Sequence, residues 1–301
     1  MANYNLKQEA KVYLVFSGST IILDVEPDIN FSQTFTDKTY PQKTLHEQHK
    51  LHDESNIKKA NPANFELTIP ALNENDLDVV FNLLVDFKTG TNTLNTFDLF
   101  IKFDNGTVYK LETCVFTNGT FIIEKLENLK LTLTGEATKL ITSGVSVPST
   151  PTRGTRTPLQ VNHLLVKIAS ITLSASVYRV SVELQNNIQW IPYETVNDSL
   201  SVTNASTSMY PSNFILQKRV LAGTVGQYIT SDFNSDLQQW ETGVTVDIQA
   251  GTSATKGFQF DIEDCTFTNR LEVEDAFTQT YDWKMNENPT DLGTIIKFNN
   301  I

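Results

Sequence analysis

The sequence predicts a mainly β chain built as two tandem, similar β-sandwich or partial-barrel domains, each with one α-helix. Three observations carry this. Val, Ile, Thr and Phe are abundant, with 18 Phe against only 3 Met, and β-branched and aromatic side chains suit a pleated, half-buried surface. A segment recurs: Leu111-Glu112-Thr113-Cys114-Val115-Phe116-Thr117-Asn118 matches Ile262-Glu263-Asp264-Cys265-Thr266-Phe267-Thr268-Asn269 at a constant offset of 151, and a duplication changes the meaning of every local reading. Between the copies, residues 142–159 carry Pro148, Pro151 and Pro158 among Ser, Thr and Gly, a composition that denies a helix or a sheet ladder and reads as a semi-extended linker.

The first domain, 1–141, opens with strand-like Val12 to Phe16 and Ile21 to Val25. A weaker anchor follows, Phe31-Ser32-Gln33-Thr34 against Leu200-Ser201-Val202-Thr203 at offset 169, then Tyr40-Pro41 against Tyr210-Pro211 at offset 170. The fall from 170 to 151 implies some 19 extra residues in the first copy, placed most economically in a polar insertion at 42–64. Phe65, Leu67 and Ile69 alternate as a strand; Asn75-Asp76 then offers an N-cap ahead of Leu77, Val80, Phe81 and Leu84, which have helical spacing. Phe97, Leu99, Ile101 and Phe103 alternate into Asp104-Asn105-Gly106, a hairpin turn, and the chain returns through Val108 to Phe116 and closes with Leu129, Leu131 and Leu133.

The second domain, 160–301, repeats that order. Ser231 is placed to cap a helix carrying Phe233, Leu237 and Trp240, closed by Gly243. Val244, Val246 and Ile248 alternate, a turn follows at 250–256, and Phe258, Phe260 and Ile262 lead into the second Cys motif before the closing strand Phe277 to Trp283.

Composition excludes several functions. With 35 acidic against 23 basic residues the net charge is -12, so a phosphate backbone is on average repelled and tight nucleic-acid binding is not expected. No stretch approaches the ~20 apolar residues of a membrane-spanning helix, and the N-terminus lacks the apolar core and cleavage site of a secretory signal. The expectation is a soluble protein made in a reducing cytoplasm, in which the sequons at Asn105, Asn118, Asn197 and Asn204 carry no meaning.

Catalytic chemistry is hard to assemble. There are four histidines; three of them, His46, His49 and His52, fall in one polar run, but His-Glu-Gln-His lacks the i, i+4 pair of a zinc-hydrolase helix and no second cluster completes a shell. A solvated or interface loop is the favoured reading over a metal site. Cys114 and Cys265 sit at matching places in alternating apolar patterns, which suits buried core thiols rather than a disulfide or a redox pair. The clusters Asp261, Glu263, Asp264 and Glu272, Glu274, Asp275 invite a glycosidase reading, yet alternation puts Asp261 and Glu263 together opposite Phe260 and Ile262, as on any solvated strand face. No phosphate-binding glycine loop or Gly-x-Ser-x-Gly elbow occurs. A carbohydrate-binding or adhesin module is the other class, with Trp190, Trp240 and Trp283 as its possible platforms and Trp240 better explained as core.

A duplicated, acidic β domain with one helix, no catalytic constellation and a polar insertion resembles the tail tube protein of long-tailed bacteriophages, through the order of elements over about 11–140 and 160–300. The resemblance implies a structural virion protein without enzyme activity, cofactor or metal, found in the virion tail and assembled in the bacterial host cytoplasm. It implies inner strands that join neighbours into a β-lined ring, three duplicated chains giving approximate sixfold symmetry, with rings stacking into a channel. Its partners are further copies of itself and other tail proteins, with DNA only in transit and no membrane. A tube initiator or distal tail protein at the baseplate is the near alternative. On this reading Tyr40, Pro41, His46, His49, His52, Tyr210 and Pro211 are candidates for contacts between subunits or rings, and Glu112, Glu124, Asp261 and Glu263 for the channel wall.

Overall fold

The computed structural model describes residues 6–38, 42–44, 47–52, 57–69, 74–124, 127–148, 151–152, 160–173, 176–191, 210–230, 240–254, 256–273, 276–287, 292 and 295–298. Alternation produces the first strands as expected. β1 (Lys11–Phe16) and β2 (Ser19–Leu23) are joined through Ser17 and Gly18, both with positive φ (49° and 83°), the pairing that matches the twist of a two-residue hairpin. β3 (Asn30–Ser32), β4 (Phe35–Lys38), β5 (Gln42–Thr44), β6 (Glu47–His52) and β7 (Ile57–Ala60) follow. In β8 (Ala63–Ile69) the residues Phe65, Leu67 and Ile69 alternate inward.

The expected helix is α1 (Glu74–Val85), which begins one residue before Asn75, so Asn75 and Asp76 lie in its first turn. It buries Val80, Phe81, Leu83 and Leu84. β9 (Phe97–Lys102) turns at Gly106, whose φ is 90° and whose N–H donates to the Phe103 carbonyl at 2.9 Å. The chain then runs through β10 (Val108–Glu124) and β11 (Lys130–Ile141). The second half contributes β12 (His163–Ile168), β13 (Ile171–Thr172), β14 (Val177–Trp190), β15 (Phe214–Tyr228), β16 (Trp240–Ser253), β17 (Lys256–Val273), β18 (Phe277–Met285) and β19 (Ile296–Phe298).

Among the described residues, fifteen strands join one antiparallel sheet that does not close, in the order β13-β12-β16-β17-β18-β15-β14-β10-β11-β8-β3, with β9, β1 and β2 branching from β10 and β19 from β17. Both halves feed one apolar core. Phe81 on α1 lies 5.4 Å from Phe121 and 5.2 Å from Phe258 between ring centroids, so the first half's helix touches the second half's longest strand.

β10 and β17 each carry the Cys motif, and each bends there. Thr113 and Asp264 have φ of 53° and 52°, and the ladders to β9 and β16 skip register beside them. A non-glycine residue in this region is costly and marks a bulge. Each is held: the Thr113 N–H donates to Asp98 Oδ1 at 2.9 Å, and the Asp264 carbonyl accepts from the Asn286 N–H at 2.9 Å. The bend lets one strand serve two parts of the sheet. Beyond it, Cys114 and Cys265 are fully buried, as expected of core thiols.

Two expectations need correction. Residues 231–239 lie outside the described residues, and Trp240 is the first residue of β16, 67% exposed rather than in the core. Gly243 does not close a helix; with φ 74° it sits in β16 just where the ladder to β17 slips between Thr242 and Val244. A strong apolar triplet at helical spacing misled here because neighbouring strands, not local periodicity, set the conformation at Trp240. The 142–159 segment also does more than span. Thr152 bridges to β2 by two backbone hydrogen bonds, with Thr20 (2.9 Å) and Ile22 (3.1 Å), while Val145 and Val147 pack on Tyr13, Phe100 and Val108.

Candidate functional site

The run of eight strands β3-β8-β11-β10-β14-β15-β18-β17 crosses from one half to the other and offers one face that is not core. Register fixes its membership, since residues directly opposite share a face. Thr68, Thr132 and Thr120 stand side by side across three strands and continue into Glu183 on β14; Thr224, Asp282 and Thr268 continue the face through β15, β18 and β17. Hydroxyls dominate it. The Thr68 and Thr132 hydroxyl oxygens are 3.2 Å apart, those of Ser181 and Thr224 2.7 Å, and Asn118 Nδ2 donates to Glu183 Oε1 at 3.0 Å.

Its charges come interleaved. Glu124 faces Arg179 at 3.6 Å across the strand junction of the two halves, and Glu272 faces Arg270 at 2.7 Å. By the same register Glu66, Glu136, Glu183 and Asp282 share the face with Lys130 and Lys284, so it carries both signs with acid in modest excess, as the whole chain does. Of the residues proposed from sequence for a channel wall, Glu124 shares this face. Glu112, Asp261 and Glu263 lie before the bulges, on the stretches of β10 and β17 that pair with β9 and β16. Glu112 is tied to Lys110 Nζ at 2.9 Å, and Lys110 also reaches Asp98 at 2.9 Å. Burial works to lower the Lys110 pKa, but the two carboxylates outweigh it and hold the ammonium above its usual value.

Two ribbons continue outside the eight-strand ladder. In the first half β4 pairs with β7, from Phe35 opposite Ala60 to Lys38 opposite Ile57, and β5 pairs with β6 beyond them. In the second half β14 and β15 stay paired past the sheet, from Asn186 opposite Arg219 to Trp190 opposite Phe214. Trp190 Nε1 donates to Glu136 Oε2 at 2.5 Å and its ring meets Phe214 at 5.3 Å. Of the contact candidates, Tyr40, Pro41 and His46 lie outside the described residues; His49 and His52 fall on β6 of the first ribbon. Tyr210 and Pro211 are buried within the chain, Tyr210 against Ala60 at the base of that ribbon with Lys139 Nζ 4.6 Å from its ring.

A buried tie joins ribbon to helix. Arg219, 3% exposed, donates from Nε to Asn186 Oδ1 (2.9 Å) and from Nη2 to the carbonyls of Leu84 (3.3 Å) and Val85 (2.5 Å), over the ring of Phe87. Sequence reading missed this tie, because nothing local distinguishes Arg219 from an exposed strand arginine. The hydroxyl face did leave a signal, the period-2 threonines of Leu131-Thr132-Leu133-Thr134 and Thr266-Phe267-Thr268.

Burial pushes the Cys265 thiol up to about 12 and the Cys114 thiol well above its ordinary value, so neither is a thiolate near neutrality. Among the described residues no three metal-ligating side chains cluster. A groove of about 280 Å³ beside β3, lined by Asn30, Phe31, Glu66, Thr134 and Glu136 among others, presents amides, hydroxyls and carboxylates without a histidine or thiol. None of the described helices is long and apolar enough to cross a membrane.

The family model of the Bacteriophage Baseplate Tube Protein Family matches residues 2–301. No curated protein matches the chain.

Proposed function

Since the chain belongs to the bacteriophage baseplate tube protein family, a structural family of the phage tail, we propose that it is a tube subunit whose eight-strand run lines a channel for DNA passage. The observation that carries this reading is the unclosed sheet with its hydroxyl-rich face of mixed charge. An open sheet of this size needs its edges covered, and copies of the same chain arranged around an axis cover them without covering the polar face.

Duplication of one unit is supported strand by strand. β1, β2, β9, β10, β11, β8 and β3 pair with one another in the same sequence as β12, β13, β16, β17, β18, β15 and β14. The left-handed residue before each cysteine recurs at the offset of 151. Even an exchange of bulk fits: Phe65 covers Gly135 across β8 and β11, while at the corresponding positions Trp283 covers Gly223. This correspondence sets Phe31 over Val182, also at offset 151, in place of the offset near 170 read from residues 200–203, which lie outside the described ones. Each half then carries a ribbon, and the extra length is no longer peculiar to the first. Six ribbons from three chains are the candidate contacts between rings.

Three chains would line a ring with roughly 24 strands; at ~4.8 Å spacing and ~40° tilt the wall radius is about 24 Å. That leaves a bore of roughly 35–40 Å after side chains, wide enough for duplex DNA. Slipperiness on this reading comes from a hydroxyl lining whose few cations each stand among carboxylates, so that it offers a phosphate backbone no run of cations to hold it. A single ring at the baseplate is the second reading, favoured by the family's description. Mass and symmetry of the purified assembly test both. Stacked trimers with pseudo-sixfold density support the tube; discrete rings that do not stack at high concentration support the baseplate ring; a monomer at all concentrations overturns the proposal.

A further inference from the structure

The junction between the two halves of one chain describes the junction between chains. β10 meets β14 with Phe121 opposite Val182 and Ile123 opposite Val180. This seam is dry: Phe121, Ile123 and Leu129 on one side are 1%, 0% and 1% exposed, and Val180 and Val182 on the other are 0%. Phe121 also lies 5.4 Å from Phe260, ring to ring.

The same elements recur at the far ends of the sheet with nothing against them among the described residues. The slip beside Thr117 puts Phe121, Ile123 and Leu129 in correspondence with Leu271, Val273 and Phe277. These are 60%, 64% and 58% exposed, where their counterparts are buried. Trp240, 67% exposed, stands opposite Thr268 at the point where β16 stops covering β17. At the other end β3 terminates the strand order, with Ile29 and Phe31 in the places of Val180 and Val182. Phe31 is half-buried and rests 5.7 Å from the Tyr109 ring; Tyr109, in the place of the fully buried Phe260, is half-buried too.

Resting on the reading of the chain as a ring-forming tube subunit, we propose that β17 from Arg270 to Val273 pairs antiparallel with β3 of a second copy, Leu271 opposite its Phe31, Val273 opposite its Ile29 and Arg270 opposite its Ser32. The register is the internal one carried over. One end of the chain supplies the knobs and the other the seat, so the contact is head-to-tail and propagates until it closes. It covers both open edges and removes four exposed apolar side chains from water, which is the reason for their exposure in a single chain.

Cysteine pairs test the register. Residues directly opposite have Cα atoms about 4.5–5.5 Å apart, within reach of a disulfide, and a shift by two residues moves them to roughly 7 Å or more, outside it. Arg270→Cys/Ser32→Cys and the adjacent pair Leu271→Cys/Phe31→Cys sample both hydrogen-bonding classes of cross-strand pair; Arg270→Cys/Asn30→Cys is the shifted control. Oxidised assemblies of at least one in-register double variant are expected to run as covalent oligomers ending at the ring number, and those of the control as monomers. Leu271→Asp, at a site exposed in the single chain, is expected to leave the melting temperature of the monomer unchanged and to raise the concentration for half-assembly roughly 10- to 100-fold. Cross-linking only in the control, a cross-link within one chain, or assembly indifferent to Leu271→Asp would overturn the junction while rings of the unmodified protein still stand. Absence of rings from the unmodified protein would overturn the ring reading and the junction with it.

Discussion

Arg219→Met separates the guanidinium of Arg219 from its apolar stem. The side chain comes from β15 and ends under the last turn of α1, where the final carbonyls of a helix have no donor of their own and where positive charge is favourable. Methionine keeps most of the volume and removes every donor. Leu84 keeps one partner, Asn186 Nδ2 at 3.0 Å, but the Val85 carbonyl and Asn186 Oδ1 lose the hydrogen bonds that Arg219 gives them. Each buried acceptor left unsatisfied costs about 1–3 kcal/mol, and release of a charge from a buried site returns part of that. The expected net loss is therefore roughly 1–4 kcal/mol, a fall in melting temperature of about 2–6 °C for a chain this long. Arg219→Lys keeps the charge but not the planar fork, so it is expected between the two. Urea denaturation followed by tryptophan fluorescence gives the loss, and hydrogen exchange locates it at residues 82–87 and 186–190. An unchanged midpoint with unchanged exchange in those segments would refute the reasoning, since it would mean that the helix end draws nothing from the second half.

Three further outcomes follow from packing and protonation. Gly135→Ala drives a methyl group into the Phe65 ring and to 2.5 Å from the Val115 carbonyl oxygen; overpacking of this kind costs about 1–3 kcal/mol, and a variant as stable as the parent by calorimetry would show that the seam has slack. Cys114 and Cys265 are expected to resist alkylation at pH 8 in the folded protein and to take up two labels in denaturant, as judged by intact mass; rapid labelling of either while folded would contradict their burial. Asp247 is raised above the usual carboxylate range, first by burial, with Asp261 adding to the rise and Lys167, 3.8 Å away, opposing it. Its folded form holds the proton more tightly than the unfolded chain does, so stability is lost as pH climbs from the ordinary aspartate range through the raised value. Asp247→Asn is expected to melt higher than the parent at pH 7–8, with the gap narrowing below about pH 4; a gap independent of pH would refute that account.

The candidate site was only partly legible in the chain. Carboxylates named for a channel wall because they lie on the hairpin strands included Glu112, Asp261 and Glu263, which lie before the bulges at Thr113 and Asp264. Alternation gives the face of a residue within a strand but not the layer to which that part of the strand belongs. The net charge of -12 likewise carries no address, and the face of the eight-strand run pairs Glu124 with Arg179 and Glu272 with Arg270. The expectation for Trp240 is overturned: its helical spacing with Phe233 and Leu237 is real, but the ladder to Thr268 makes it a strand residue.

By itself the sequence determined what depends on neighbours along the chain. Period-2 apolar residues gave β8, β9, β11 and the Cys-bearing strands; helical spacing gave α1; Asp104-Asn105-Gly106 gave its hairpin; and buried thiols followed from their apolar flanks. These are short-range consequences of backbone geometry and of which side chains leave water. Only the tertiary structure decided which strands lie side by side, and with that the rest: the seam that hides Phe121 while its counterpart Leu271 stays in solvent, the bulges that carry one strand between two parts of the sheet, and the arginine of one half that closes the helix of the other. Partner choice between strands rests on contacts across tens of residues of chain, as many as separate Lys11 from Lys102, each weak and none marked locally, so it is settled by the summed burial of the whole sheet.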